Sequence, residues 1–310
     1  MAPPFADSVR AMKHIGMVVV SALALPLGAC SSSKGTSVDA HSADAGIDRG
    51  PTNTPLMADP NGLYWDATKK TLYIADQEGN QILTWTDAGG FGPTIALTAA
   101  PSGDTELGGL WETADGTLLT PRFGFGTIGG LIEVEDGSAS TVPNLDVTRR
   151  RLGVSVAPDG TVFDTYFVKT TTTVGALATV DLTAGTEADF ITGLTKPVGI
   201  AVIPPNVYVS DQGTNEILMA PLGGSASAGT MFSDPIGPDL MAPGPNGSIF
   251  SGSTVGNVYQ IDSSGTSTTF QTGFNETRGM AYDAVNERLF VAEHVASGTV
   301  HALHIFPVTP

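Results

Sequence analysis

The stretch Asn61–Leu83, NGLYWDATKKTLYIADQEGNQIL, decides how this chain is read. GLYWD and TLYIAD alternate with the period of short half-buried strands. Ala67-Thr68-Lys69-Lys70 joins them as a tight hairpin, and DQEGN then turns the chain into a third strand, QILTW. Outward from this unit, variants recur to the C-terminus. Gly62 is followed by Gly109 in LGGLWET, Gly153 in RRLGVSV, Gly199 in PVGIAV and Gly279 in TRGMAY, with Leu240 of PDLMAP at the same place in a degenerate copy. The anchors are 47, 44, 46, 41 and 39 residues apart. That is the period of a radial array rather than a sandwich.

Within each copy the first strand meets the second across a hairpin: Asp115-Gly116, Asp159-Gly160, Pro205-Asn206, Asn246-Gly247 or Asn286-Glu287. Asn-Gly and Asp-Gly supply the positive φ such turns need. Second strands read TLLTPR, TVFDTY, NVYVSD, SIFSGS and RLFVAE. Third strands read GLIEV, ALATVDL, EILMAPL, NVYQID and TVHALHIF, and weaker fourth strands follow. The expected fold is all-β: a six-bladed β-propeller of four-stranded antiparallel blades over residues 58–310. The last copy has no fourth strand of its own, so Pro55–Ala58 is expected to supply it and close the ring without a free edge.

Composition agrees. Among 310 residues there are 38 Gly and 21 Pro, and only 15% are charged, which suits many short strands and turns. The net charge of −17 argues against nucleic acid or an anionic membrane surface as partner. The single cysteine, Cys30, excludes an intramolecular disulfide framework. Arg10, Lys13 and His14 precede the apolar run IGMVVVSALALPL, too short to span a bilayer and suited to a secretory signal. It ends in Leu27-Gly28-Ala29-Cys30, which resembles a bacterial lipobox. The resemblance implies a signal peptide over 1–29, lipidation of Cys30 and a lipid anchor to the membrane. With Ser31 rather than Asp after the cysteine, it implies an outer-membrane lipoprotein of the cell envelope. Residues 30–57, rich in Ser, Asp, Ala and Gly, read as a flexible tether.

TLYIADQEGNQIL and NVYVSDQGTNEIL resemble NHL-type repeats. GLYWD and TLYIAD are also similar to the gluconolactonase / senescence-marker (regucalcin-like) family of six-bladed propellers. That resemblance implies a divalent metal such as Ca²⁺ in the central pocket, held by a Glu, an Asn and an Asp. Asn61 stands where the Glu falls, Val198 where the Asn falls, and Asp239 in PDLMAP matches the Asp. It thereby implies Asn61 and Asp239 as metal ligands and a metal-dependent lactonase as the activity.

In a propeller the start of each first strand and the end of each second strand share one face, because the two are antiparallel. This lays out two rings at a channel mouth: Asn61, Gly108, Leu152, Val198, Asp239 and Arg278; and Asp76, Arg122, Tyr166, Asp211, Ser253 and Glu293. Glu106, Arg151, Gln77, Gln212 and His294 fall nearby. Mixed acids, arginines, a Tyr and a His suit a polar small-molecule pocket. The candidate ligand-binding residues are therefore Asp76, Arg122, Arg151, Tyr166, Asp211, Arg278 and Glu293, and the candidate catalytic residues are Asp239 and His294.

Each has a structural alternative. Asp76 and Asp211 sit in turn motifs and are placed to accept backbone N–H bonds. Arg278 and Glu293 fall in one copy and suit an ion pair. Arg149-Arg150-Arg151 either grips an anion or neutralises acidic neighbours. Arg122–Thr127, RFGFGT, is either a ligand loop or a packed tip. His301 and His304 alternate in the last strand and read as structural. The sequence has no GxSxG, HExxH or Walker motif. The first reading is thus a non-catalytic module, expected as a monomer, that holds a small molecule or protein partner at its mouth. The alternative is the metal-dependent lactonase-like hydrolase, and an envelope scaffold is a third reading.

Overall fold

The structure, a computed structural model, describes residues 52–97, 106–296 and 300–309. The signal and most of the tether, with Cys30, lie outside them. The opening unit forms three successive antiparallel strands, Pro60–Asp66, Thr71–Asp76 and Gln81–Thr86, with Leu63 opposite Ile74 and Leu72 opposite Trp85. Asp66 ties the first hairpin by accepting the N–H groups of Thr68 and Lys69 at 2.8 and 2.9 Å. Two short pieces, Gly90–Phe91 and Ile95–Ala96, both pair with the third strand in place of one regular fourth strand.

Three further sheets repeat the pattern in chain order, beginning at Trp111–Glu112, Arg150–Val156 and Pro197–Ile203. The remaining strands make one eight-stranded sheet. Its halves begin at Pro238–Pro243 and Glu276–Asp283, and a single residue pair, Ser253 with Thr277, joins them. The architecture is an all-β propeller of antiparallel sheets.

Apolar layers between successive sheets explain why the inner strands, such as Pro60–Asp66, Thr71–Asp76, Pro197–Ile203 and Asn206–Asp211, are buried on both faces. Tyr73 and Ile82 pack on Leu107, Leu118 and Ile132. Leu119 and Leu131 pack on Val154 and Val162, and Leu177 and Ile191 on Ile200 and Val209. The series continues through Tyr208 and Ile217 against Met241 and Ile249, then Phe250 against Met280 and Val291. It returns to the start where Leu63, Trp65 and Ile74 meet Phe290, Ala292 and Leu303.

The anchor glycines have a steric cause. The innermost strands approach so closely that a Cβ on Gly279 would lie 2.1 Å from the Asn61 carbonyl oxygen, and one on Gly153 2.2 Å from that of Val198. Where the repeat has Leu240, the neighbouring strand provides the glycine: a Cβ on Gly252 would lie 2.6 Å from the carbonyl oxygens of Thr277 and Arg278. This packing leaves an axial void of about 20 Å³ among Leu63, Leu110, Val154, Ile200, Met241 and Met280, room for about one water. Gly279→Ala is expected to cost about 1–3 kcal/mol, the usual range for overpacking a tight interior, read from the urea midpoint at unchanged m-value.

The ring closes through chain segments distant in sequence. Thr52–Leu56 pairs antiparallel with His301–Pro307, Thr52 facing Ile305 and Leu56 facing His301. The closing strand is therefore Thr52–Leu56 rather than Pro55–Ala58, and it lies within the stretch read as tether. The physical reason is that TNTPL has little apolar content, so its edge role comes from backbone pairing. Arg288 adds a clamp: it donates to both carboxylate oxygens of Asp87 at 2.6 and 2.7 Å and to Asp283 at 2.9 Å, beneath Trp65 and Phe290.

Candidate functional site at the channel mouth

The starts of the innermost strands and the ends of the second strands do converge. They enclose a pocket of about 380 Å³ whose wall includes Asp59, Asn61, Gln77, Glu106, Phe123, Lys196, Arg278 and His294. Asn61 and Arg278 come from the first ring of the sequence reading; Gln77, Glu106 and His294 come from its surroundings. At the opposite end of the axis is a cavity of about 250 Å³ lined by Tyr64, Trp111, Pro243 and Tyr282. Among the described residues its wall holds no carboxylate, imidazole or amine, whereas the mouth holds all three.

The mouth is organised around Asp59, which is buried. Its Oδ1 lies 2.7 Å from His294 Nδ1, and its Oδ2 accepts from Gln77 Nε2 at 2.7 Å. Its backbone is pinned as well: the N–H donates to Asp76 Oδ1 at 3.1 Å and the carbonyl accepts from the Gln77 N–H at 2.8 Å. The His301 ring stacks on His294 with centroids 5.1 Å apart. His301 Nδ1 lies 3.9 Å from Asp59 Oδ1 and accepts the Val295 N–H at 3.0 Å.

The other residues singled out from the sequence fall into distinct places. Asp76 accepts the N–H of Gly79 at 3.0 Å and the Gln81 side chain at 2.8 Å, in addition to the Asp59 N–H. Asp211 accepts the N–H groups of Thr195 and Lys196, both at 2.7 Å, and that of Gly213 at 3.0 Å. Both aspartates support the backbone of the mouth, so the turn alternative is the one observed. The expected pair of Arg278 with Glu293 is not formed. Arg278 donates to Glu276 at 2.7 Å and lies 3.8 Å from Asp239. Glu293 instead accepts the N–H and side-chain amide of Asn275 at 2.8 and 3.0 Å and contacts His304 Nε2 at 2.8 Å. Burial pushes the Glu293 carboxyl up, but these bonds outweigh it and hold the group below the usual carboxylate range.

Two ligand assignments are corrected. Arg151 is fully enclosed, bonded to Asp164 at 2.6 Å and to Glu187, and does not reach the mouth. Tyr166 donates its hydroxyl to Asp189 at 2.7 Å beneath the guanidinium of Arg149, 3.7 Å from the ring centre. Arg149 and Arg151 therefore neutralise acids, as the structural alternative had it, while Arg150 packs on the neighbouring loop. Arg122 is buried, and desolvation holds its guanidinium below its ordinary value. In the loop after it Phe123 meets Phe125 edge-on at 5.0 Å, and Arg150 lies over Phe123 and donates to the Phe125 carbonyl at 3.1 Å, while Phe123 also lines the mouth pocket.

The metal set implied by the resemblance does not fit. Ca²⁺ takes six to eight oxygens. Val198 offers no side-chain ligand, and Asn61 offers one neutral amide oxygen where the resemblance has a carboxylate. Asp239 is buried, which pushes its carboxyl up, and Arg278 already supplies a positive charge beside it. Asp59, His294 and His301 are the group placed to hold a metal ion among the described residues, with one ligand atom from each within 4.8 Å of the others. Sequence reasoning missed Asp59, Lys196 and the contribution of His301. The available signal was the presence of His294, His301 and His304 in the final copy and the acid just before Asn61.

No family model matches the chain, and no curated protein matches it. Solved structures do match. A gluconolactonase from Xanthomonas campestris has a TM-score of 0.65 at 19% identity, covering 81% of this chain and 88% of that one. A calcium-binding regucalcin from Agrobacterium tumefaciens has a TM-score of 0.64 at 17% identity, covering 83% and 95%. Virginiamycin B lyase from Staphylococcus aureus, with quinupristin and inactivated by replacing a histidine with alanine, has a TM-score of 0.56 at 14% identity, covering 84% and 89%. At these identities the likeness is one of fold.

Proposed function

We propose that the chain is a lactonase-like hydrolase that opens a small polar ring ester in the mouth pocket, with His294 as base and Asp59 as its positioning partner. The observation that carries this is the 2.7 Å contact of Asp59 Oδ1 with His294 Nδ1 in a pocket also lined by Arg278 and Lys196. A carboxylate that holds the Nδ1 proton leaves Nε2 with its lone pair, the arrangement a general base needs. In this reading His294 takes a proton from water as the water oxygen adds to the ester carbonyl. Arg278 and Lys196 supply positive charge for the oxyanion. Collapse of the adduct breaks the ring C–O bond, and the departing alkoxide recovers the proton from His294. One water is consumed and a hydroxy acid is formed. The fold shared with a gluconolactonase supports the substrate class, and no step runs through a metal ion.

A non-catalytic binding module is the second reading. The Arg278 contact with Asp239 favours it, because a cation of the protein stands beside the carboxylate that the resemblance assigns to metal. A pH-stat assay of the full chain on δ-gluconolactone and a panel of five- and six-membered lactones separates the two. Hydrolysis that survives EDTA is the expected result. Saturable binding without turnover would replace the hydrolase by the binding module.

In the same reading the eight-stranded sheet counts as two blades, supported by the lone Ser253–Thr277 pair between its halves. This makes six blades, the first with its fourth strand split into two short pieces, and we take the unit as a monomer. The basic-apolar-lipobox order before Cys30 supports an outer-membrane lipid anchor. Cys30→Ser is expected to move the protein from the membrane to the soluble fraction, and continued membrane retention would refute the anchor.

A further inference from the structure

We infer that Asp59, His294 and His301 form a site for a transition-metal dication of the zinc class, distinct from the calcium position that the resemblance implies. One carboxylate and two imidazoles are borderline ligands that suit Zn²⁺, Co²⁺ or Fe²⁺ and are too few and too nitrogen-rich for Ca²⁺. The spacing suits such an ion. Metal–ligand bonds of ~2.0–2.2 Å place tetrahedral neighbours ~3.3 Å apart. Asp59 Oδ1 lies 2.7 Å from His294 Nδ1 and 3.9 Å from His301 Nδ1, values on either side of that edge.

The supports of the site are already in place. Gln77 Nε2 holds the second oxygen of Asp59 at 2.7 Å, leaving Oδ1 turned toward the imidazoles, as an outer-shell partner of a ligating carboxylate does. His301 Nδ1 accepts the Val295 N–H at 3.0 Å, so that nitrogen carries a lone pair, which an ion takes over from the N–H. The ring stacking of His294 and His301 fixes both planes side by side. Asp59 and His294 line the mouth pocket, while His301 is buried behind them. The ion therefore sits in the pocket wall with its remaining positions toward the cavity. A bound ion takes the Nδ1 atom by which Asp59 holds His294 for base catalysis. The metal-loaded form and the hydrolytic form exclude one another, and this consequence alone rests on the hydrolase reading.

The test is equilibrium dialysis of the full chain against Zn²⁺ and Co²⁺, with the visible absorption of Co²⁺ as a direct reading of its ligands. One ion per chain, a Co²⁺ spectrum of low coordination number and no displacement by millimolar Ca²⁺ are expected. Gln77→Leu is expected to weaken binding by ~10–100-fold, the usual effect of losing an outer-shell partner. His301→Gln is expected to weaken it more than that, with an unchanged thermal midpoint showing that the ring still folds. Absence of a stoichiometric ion overturns the site. So does binding that survives His301→Gln but is lost in His41→Gln, at the histidine of the tether stretch 30–57, which would place the ion in the N-terminal stretch. Saturating Zn²⁺ is expected to suppress lactone turnover in the parent and not in His301→Gln. Full turnover of the Zn²⁺-loaded parent would overturn the exclusion, whereas a chain without lactonase activity would leave the dialysis and spectrum to decide the site.

Discussion

Arg151→Met is expected to lower the unfolding free energy by about 3–5 kcal/mol, the usual effect of removing one partner from a buried ion pair. Arg151 has no exposed surface. It bridges Asp164 and Glu187 and donates to the Asp146 carbonyl at 3.1 Å. Methionine fills much of the same volume, so the loss reports stranded charge more than a cavity. Burial pushes the Asp164 carboxyl up to about 7, against the pull of Arg151 and with the push of Glu187. Without Arg151 the pull disappears and the carboxyl rises further. A carboxyl whose folded pKa exceeds its unfolded value of ~3.9 stabilises the folded state below the unfolded value, and this stabilisation is lost as pH rises through the folded one. The loss caused by Arg151→Met should therefore be larger at pH 8 than at pH 5. Urea unfolding of both proteins at the two pH values measures it; an equal loss at both would remove Asp164 from the account. Adding Asp164→Asn to Arg151→Met should recover part of the loss at pH 8.

His294→Gln is expected to reduce lactone turnover by about 10²–10⁴-fold, the usual contribution of a positioned general base. Glutamine preserves polarity and approximate reach but cannot take the proton. The effect should fall on kcat, with KM little changed, because Arg278, Lys196 and Phe123 remain in the wall. The thermal midpoint should hold, since among the described residues the His294 side chain makes one hydrogen bond, to Asp59, and its stacking on His301 is one that a glutamine amide plane can replace. A variant with near-parental kcat would show that the base lies elsewhere in the mouth.

The ring was legible because its signals repeat. Alternating strands, Asp-Gly and Asn-Gly hairpins and a glycine at each close approach all follow from backbone geometry that every copy shares. The mouth was legible to the extent that antiparallel topology decides it, which is why Asn61, Gln77, Arg278 and His294 meet there. Side-chain direction was not. Arg151 and Tyr166 stand at the strand positions that suggested a mouth, yet Arg151 is enclosed by pairing with Asp164 and Glu187, and the Tyr166 hydroxyl turns to the exposed Asp189. Asp164 sits on the next strand of the same hairpin, whereas Glu187 and Asp189 come from a strand that only the fold brings near. Asp59 lies just before its strand and carries no periodic mark. Its importance comes from His294, 235 residues away, which no local pattern connects to it.

The close approach of the innermost strands has a consequence for traffic. With space for about one water along the axis, the ring is a closed door between its two ends. Whatever enters the mouth must leave by the same opening, so product and incoming substrate compete for one threshold. The aromatic cavity on the far side is a separate room, free to take a different guest without either occupant passing through to the other.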